Sequence, residues 1–264
     1  MRANRLLAVT VLSVLGVTGL TACNSDSDGA TDTAASAPAS ASASASPSAA
    51  GGGLEKLTVP EITAKSRAAG KKLTSAKLTA KVTDTEGDID VAVAADSTGN
   101  CVGTVGIAGQ GKAEIRRTAD KVWMKPDAEF LKAIFPGKEQ AAAAISGKWL
   151  ASSKGEDVGG FAEFCDMALQ MQQKIGTNED GSLDDKGTVT GTKKVGGVDA
   201  VILDIQDEDG SPMEAAIANT GEPYLLALDG KEQGKLQYSD FDKPVKVTAP
   251  PADQVVDAGS LGDS

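Results

Sequence analysis

Lys77-Leu78-Thr79-Ala80-Lys81-Val82-Thr83 and, past a Glu86-Gly87 turn, Asp88-Ile89-Asp90-Val91-Ala92-Val93-Ala94-Ala95 decide the fold of this chain. In the first segment Leu78, Ala80 and Val82 alternate with Lys and Thr; in the second Ile89, Val91, Val93 and Ala95 alternate with Asp or smaller residues. A period of two with one apolar side belongs to strands that lay one face on a core, so the pair predicts an antiparallel hairpin. The pattern continues outward. Ser97-Thr98-Gly99-Asn100 leads into a glycine-laced strand over 101–108, and segments 112–118 and 121–125 complete a meander around an Ala119-Asp120 turn. Six more strand segments, 188–195, 198–206, 213–218, 224–228, 235–239 and 245–248, each lie between Gly, Pro or Asp turns.

Helical spacing surrounds and separates these strands. Before the hairpin, Thr58 serves as a cap with Pro60 in the first turn and Glu61 three residues on, and Val59, Ile62, Ala69 and Leu73 make one stripe, predicting a helix over 59–73. In the middle, 127–135 and 138–145 read as short helices parted by Pro136-Gly137. Trp149-Leu150 follows, and 160–175 reads as a longer helix carrying Phe161, Phe164, Cys165, Ala168, Leu169 and Met171. A polar, turn-rich insert at 176–186 returns the chain to strands. Strands, then helices, then strands indicate one α+β domain, 54–264, on a large antiparallel sheet. Ten or so twisted strands curl, and the helices then cover the concave apolar face.

The N-terminus reads differently. Arg2 and Arg5 precede an apolar run from Leu6 to Leu20, and Leu20-Thr21-Ala22-Cys23 closes it with small residues and a cysteine. The run is shorter than the roughly 20 residues that span a bilayer as a helix. The arrangement is that of a secretory signal, 1–22, ending in a bacterial lipobox. Cys23 is then the site of lipidation, and two or three acyl chains at about 0.8 kcal/mol per buried CH2 hold a protein on a membrane where one chain does not. Residues 23–53 hold this cysteine and a tether of Ser, Ala, Gly, Thr, Pro and a few Asp, without an aromatic or basic residue. Its flexible span is about 30 Å. The expected location is the extracytoplasmic face of the cell membrane, with Cys23 as the lipid anchor.

Charge and composition exclude several functions. Removing residues 1–22 takes Arg2 and Arg5 away and moves the formal charge of −11 two units further negative. Such a surface repels phosphate backbones, so no nucleic-acid partner is expected. The chain has no histidine, which removes Ser-His-Asp and Cys-His catalysis and every zinc site that needs imidazole. Acidic runs at Asp207-Glu208-Asp209-Gly210 and Asn178-Glu179-Asp180-Gly181 fail the calcium-loop pattern at its first and last ligand positions and read as solvated turns. No metal, no cofactor and no enzymatic activity is expected. Cys101 and Cys165 are an isolated pair in a chain read as exported, and so read as a disulfide, with two buried free thiols as the competing reading.

Aromatic residues make up 3% of the chain, and a curled sheet faced with Ala, Val, Ile and Leu covers more surface than it fills. Either a cavity able to take acyl chains or a core filled by the helices follows. The residues expected to line such a cavity are Val91, Val93, Val105, Ile107, Ile115, Val201, Leu203, Ile217 and Leu226, with inversion of a strand's faces as the principal risk. Trp123 and Trp149 read either as gates or as packing residues.

The order of motifs resembles a known family. Lipobox and tether are followed by the N-terminal helix and hairpins, Ala119-Asp120-Lys121-Val122-Trp123-Met124-Lys125, and Gly147-Lys148-Trp149-Leu150. Then come Thr190-Gly191, Val195-Gly196-Gly197-Val198-Asp199-Ala200, Gly221-Glu222-Pro223-Tyr224-Leu225-Leu226, Tyr238-Ser239-Asp240-Phe241-Asp242 and the run from Val247 to Val256-Asp257. Over about residues 55–257 this resembles the LppX/LprA/LprF/LprG family of actinobacterial lipoproteins, with the cysteine pair marking a Streptomyces-like branch. The resemblance implies a half-open β-barrel with a hydrophobic cavity that holds lipid or acylated glycolipid and carries it from the membrane into the envelope. The cargo's identity does not transfer. The competing expectation is a surface interaction module with a self-filled core and an envelope protein as its partner.

Overall fold

The computed structural model describes residues 52–84, 87–153, 162–177, 183, 186–206 and 210–261, all within one compact unit, Ser46–Ser264. The signal, Cys23, the tether up to residue 51, Glu86 of the first turn, Phe161, and the acidic stretches 178–181 and 207–209 lie outside the described residues.

Among the described residues, twelve strands form one open sheet. In chain order they are β1 (Ser75–Asp84), β2 (Gly87–Asp96), β3 (Cys101–Ile107), β4 (Gly111–Arg117), β5 (Lys121–Pro126) and β6 (Trp149–Ser153), then β7 (Thr188–Val195), β8 (Val198–Gln206), β9 (Pro212–Ala218), β10 (Leu225–Gly230), β11 (Gly234–Ser239) and β12 (Val255–Asp257). The spatial order is β12-β6-β5-β4-β3-β2-β1-β11-β10-β9-β8-β7. Two meanders thus meet where β1 pairs with β11. The sheet does not close, and it is the curled half-barrel that the alternation predicts. It is antiparallel except at one edge, where β12 pairs parallel with β6.

Two departures from the sequence reading have physical causes. Segment 245–248 is not a strand: it follows Pro244, precedes Pro250-Pro251 and has no ladder, so it crosses the outer face, where Val247 packs with Trp123, Trp149, Ala151 and Val255. Arg116 fixes this crossing, donating to the Thr248 carbonyl at 2.9 Å while its guanidinium lies 4.3 Å over the Trp149 ring. Both tryptophans are under 9% exposed, and they serve packing. Trp149-Leu150, read without an element, begins β6.

Among the described residues, four α-helices accompany the sheet: α1 (Val59–Gly70), α2 (Ala128–Ile134), α3 (Glu139–Ile145) and α4 (Ala162–Lys174). Helix α1 starts with the reciprocal cap expected from its sequence, Glu61 accepting from the Thr58 N–H at 2.8 Å. It ends at Gly70, three residues short of the expected 73. A side chain at Gly70 would place its Cβ 2.2 Å from the Gln172 carbonyl oxygen, so this glycine lets α1 cross α4 closely. Helix α2 is capped by Asp127, which accepts from the Phe130 N–H at 2.8 Å. Helix α4 packs on β1, β2 and α1.

Helix α4 is bonded to the sheet toward both ends. Cys165 is joined to Cys101 at the start of β3, so the disulfide is formed, and the Asp166 carboxylate accepts from Arg117 at 2.6 Å beside it. Further along, the fully buried Gln172 amide donates to the Leu225 carbonyl at 2.8 Å and accepts from the Leu225 N–H at 3.0 Å. Leu225 pairs with Ile217 of β9, but the pairing of β10 with β11 begins only at Ala227. The Gln172 amide supplies both hydrogen bonds that the missing partner would have made.

A small polar knot closes the other side of β1. Asp242 accepts from the Thr74 N–H at 2.9 Å, the Thr74 hydroxyl at 2.8 Å and the Tyr224 hydroxyl at 2.9 Å. Partial burial works to raise its pKa, but these three donors outweigh it and hold the carboxyl below its ordinary value. A carboxylate lowered in the folded state adds stability above its unfolded pKa of about 3.9, and that stability is lost as pH falls through the lower folded value. Asp242→Asn is therefore expected to cost up to about 1 kcal/mol at pH 7, discounted for exposure. At a pH below its lowered folded value the substitution should cost much less. Urea titrations of both proteins across pH 2–7 check this, and parallel curves would refute it.

Candidate lipid-binding rim

Strand register arranges the concave face in cross-strand rows. The outermost row runs Ile107, Ile89, Val82, Gly234, Gly230, Met213, Ile205 across seven adjacent strands, each residue directly opposite the next. One step inward lie Val105, Val91, Ala80, Leu236, Leu228, Ala215 and Leu203. The third row includes Val93, Leu78 and Tyr238 on one side, with Ile217 and Val201 on the other.

Exposure follows these rows. Val93, Leu78, Ile217 and Val201 are at most 1% exposed. In the second row Val105, Ala215 and Leu203 are fully buried, and Leu236 is half-buried. In the outermost row Ile107, Ile89, Met213 and Ile205 are half-buried, and Val82 is 37% exposed. The turns joining β3 to β4 and β10 to β11 lie at this end, where β1 ends and β2 begins and where β8 ends and β9 begins. The apolar face is thus sealed toward one end of the strands and forms an open rim at the other.

The rim has a gap. Gly230 and Gly234 stand opposite each other between the bank of Val82, Ile89 and Ile107 and the bank of Met213 and Ile205. Gly234 has φ +113, and a Cβ there would come within 2.0 Å of the Lys81 carbonyl oxygen, so this position accepts no side chain. A cleft of about 570 Å³ lies across β1, β2 and β11 here, but most of its lining, Thr79, Lys81, Thr83, Asp90, Lys235 and Gln237, alternates with the rim residues and is exposed, so it opens on the outward polar side of these strands. Helix α4 adds a second apolar stripe. Phe164, Met167 and Met171 are half-buried against the same core that the rim borders. Methionine side chains adapt to irregular apolar partners.

The nine expected lining residues divide three ways. Val91, Val93, Val105, Ile115, Val201, Leu203 and Ile217 belong to the main core at 0–4% exposure, packed with Ile62, Ala69, Cys165 and Ala168 from the helices. They are occupied by the protein's own side chains. Ile107 alone stands on the rim. Leu226 lies on the opposite face, in a cluster with Ala200, Ile202, Ala216 and Ala218. The cause is the irregularity between Leu225 and Ala227, where one extra residue of β10 faces β9. It sends Leu225 and Leu228 inward and Leu226 out. The rim residues Val82, Ile89, Ile205 and Met213 were missed; they belong to the alternating positions nearest the turns, and depth along a strand has no sequence signal.

Among the described residues no cluster of His, Cys, Asp and Glu is arranged to hold a metal ion. No protein-family model matches this chain, and no curated protein matches it. Solved structures do.

LprF from Mycobacterium bovis is similar at 15% identity, covering 72% of this chain and 96% of that one, with a TM-score of 0.47. An uncharacterized conserved protein from Thermus thermophilus is 13% identical over 75% of this chain and 97% of its own, with a TM-score of 0.33. A LolA superfamily protein from Nitrosomonas europaea is 11% identical over 75% and 96%, with a TM-score of 0.22. At these identities and TM-scores, function has to be read from the side chains.

Proposed function

We propose that this chain is a non-enzymatic, extracytoplasmic lipoprotein that binds the acyl chains of a lipid or acylated glycolipid against the rim and carries it between membrane and envelope. Cys23 is the anchor in this reading. The observation that carries it is the graded exposure of one apolar face, sealed at one end and open at the other with a glycine gap between two apolar banks. Half-buried apolar side chains gathered at one end of a sheet lose contact with water when a hydrocarbon chain lies across them. At about 25 cal/mol per Å² of apolar surface, 200–300 Å² of contact contributes roughly 5–8 kcal/mol before ordering costs. The tether keeps the domain within about 30 Å of the membrane.

The filled inner rows favour a second reading, an interaction module with a self-sufficient core and an envelope protein partner. Organic extraction and mass spectrometry of the purified protein decide between them. Co-purifying acyl lipid is expected under the first reading, and a lipid-free protein supports the second. Val82→Glu gives an independent check, since a charge on an exposed rim position changes stability little but opposes contact with hydrocarbon. Bound lipid is expected to fall at least tenfold, with a melting temperature within about 2 °C of the parent. Undiminished lipid would remove the rim from the site.

A further inference from the structure

Among the described residues, two buried hydroxyls are without hydrogen-bond partners. Tyr238 is 6% exposed and Ser66 fully buried, and the Tyr238 hydroxyl oxygen and Ser66 Oγ have no hydrogen-bond partner. Other polar side chains sealed in this region are satisfied: Thr63 donates to the Pro60 carbonyl, Ser75 to the Lys243 carbonyl, and Gln172 bonds to Leu225 both ways. A buried hydroxyl without a partner costs about 1–3 kcal/mol, and native folds seldom keep one without a use. Two within one core call for a common explanation.

Their places in the fold supply it. Tyr238 follows Leu236 by two residues on β11, so it lies on the same face one row further in from the rim, opposite Leu78. Ser66 lies on the buried stripe of α1 with Ile62 and Ala69, and those two neighbours belong to the core cluster that also holds Tyr238. Beside the polar side chains whose bonds are already made, these two hydroxyls are the donors left over in this part of the core. Helix α4 is bonded to β3 and β10, whereas α1 rests on α4 through Arg67, which donates to the Ile175 and Gly176 carbonyls.

We propose that the Tyr238 and Ser66 hydroxyls are the polar inner end of the lipid site and donate hydrogen bonds to the carbonyl oxygen of an ester-linked acyl chain. This rests on the lipid-binding reading above and adds the ligand's chemistry. The acceptor is a neutral ester and not an ionised carboxylate, because burying a carboxylate beside neutral donors costs far more than two hydrogen bonds return. Arg67, the inward-packed cation of α1, is already committed to the two carbonyls at the end of α4.

The test is titration of the purified, delipidated protein with methyl dodecanoate, dodecanoate and dodecane, for the parent, Tyr238→Phe and Ser66→Ala. The parent is expected to prefer the methyl ester over both others. Each variant should lose about tenfold in affinity for the ester, and its affinity for dodecane should stay within twofold. Neither variant should melt below the parent, because neither removes a hydrogen bond of the unliganded fold. Equal ester affinity in parent and variants, or tighter binding of dodecanoate than of the ester, overturns this assignment while leaving the rim intact. A parent that binds none of the three overturns the lipid-binding reading itself.

Discussion

A chain with both Cys101 and Cys165 replaced by alanine is expected to lose about 4 kcal/mol of stability. The two cysteines are 64 residues apart in sequence, and closing a loop of that length in the unfolded chain accounts for about 4 kcal/mol in the chain-entropy treatment. Both side chains are fully buried, so alanine also leaves a small void, which adds to the loss. The effect has a place as well as a size. The disulfide and the Arg117–Asp166 pair hold the start of α4 over β3, while Gln172 holds its later half at β10. Urea unfolding should show a lower midpoint, and amide exchange should quicken first in the early turns of α4. A loss below about 1 kcal/mol, or exchange that rises equally in β8 and β9, would contradict this account of how α4 is held.

Gln172→Leu should cost roughly 2–6 kcal/mol, although the replacement is apolar, of similar volume and placed in an apolar core. The Gln172 amide is the partner of both the N–H and the carbonyl of Leu225, which is itself fully buried. Leucine leaves both groups sealed and unpaired, at about 1–3 kcal/mol each. For a domain of this size that corresponds to a fall of about 4–24 °C in melting temperature. Gln172→Glu keeps an acceptor for the Leu225 N–H but brings a charge into a site without a cation, and it should be at least as harmful. Calorimetry of the three proteins checks the ranking. If leucine were neutral, Gln172 would be mere filling and the end of β10 would need another explanation.

Much of this architecture is legible in the chain because local rules and tertiary burial agree. Strands β1 to β5, β7 and β8 follow from alternation and turn residues, and the α1 cap follows from Thr58 and Glu61. Legibility fails where a long-range contact overrides the local pattern. Val245-Lys246-Val247-Thr248 alternates like a strand, yet its apolar residue Val247 is claimed by two tryptophans of β5 and β6. Strand β12 is three residues long and exists because β6 offers a free edge. Leu226 is apolar at an alternating position, and one extra residue in β10 turns it to the other face.

The lining prediction shows the same division. Alternation selects the inward face of a strand correctly for eight of the nine nominated residues, Leu226 being the exception. It is silent on how far along that face the helices reach. Seven of those eight belong to the main core, packed with helix residues at 0–4% exposure; Ile107 is half-buried at its border. The rim and its glycine gap emerge only when two distant meanders are placed side by side in register.

The amino-acid sequence by itself determined the class of fold, the pairing partners within each meander, the cysteine pair and the side of most strands that faces inward, because each depends on residue type at short spacing. The tertiary structure alone decided which inward residues are filled and which stay open, since that depends on where α1 and α4 end over the sheet and on the meeting of β1 with β11, contacts between segments more than 150 residues apart.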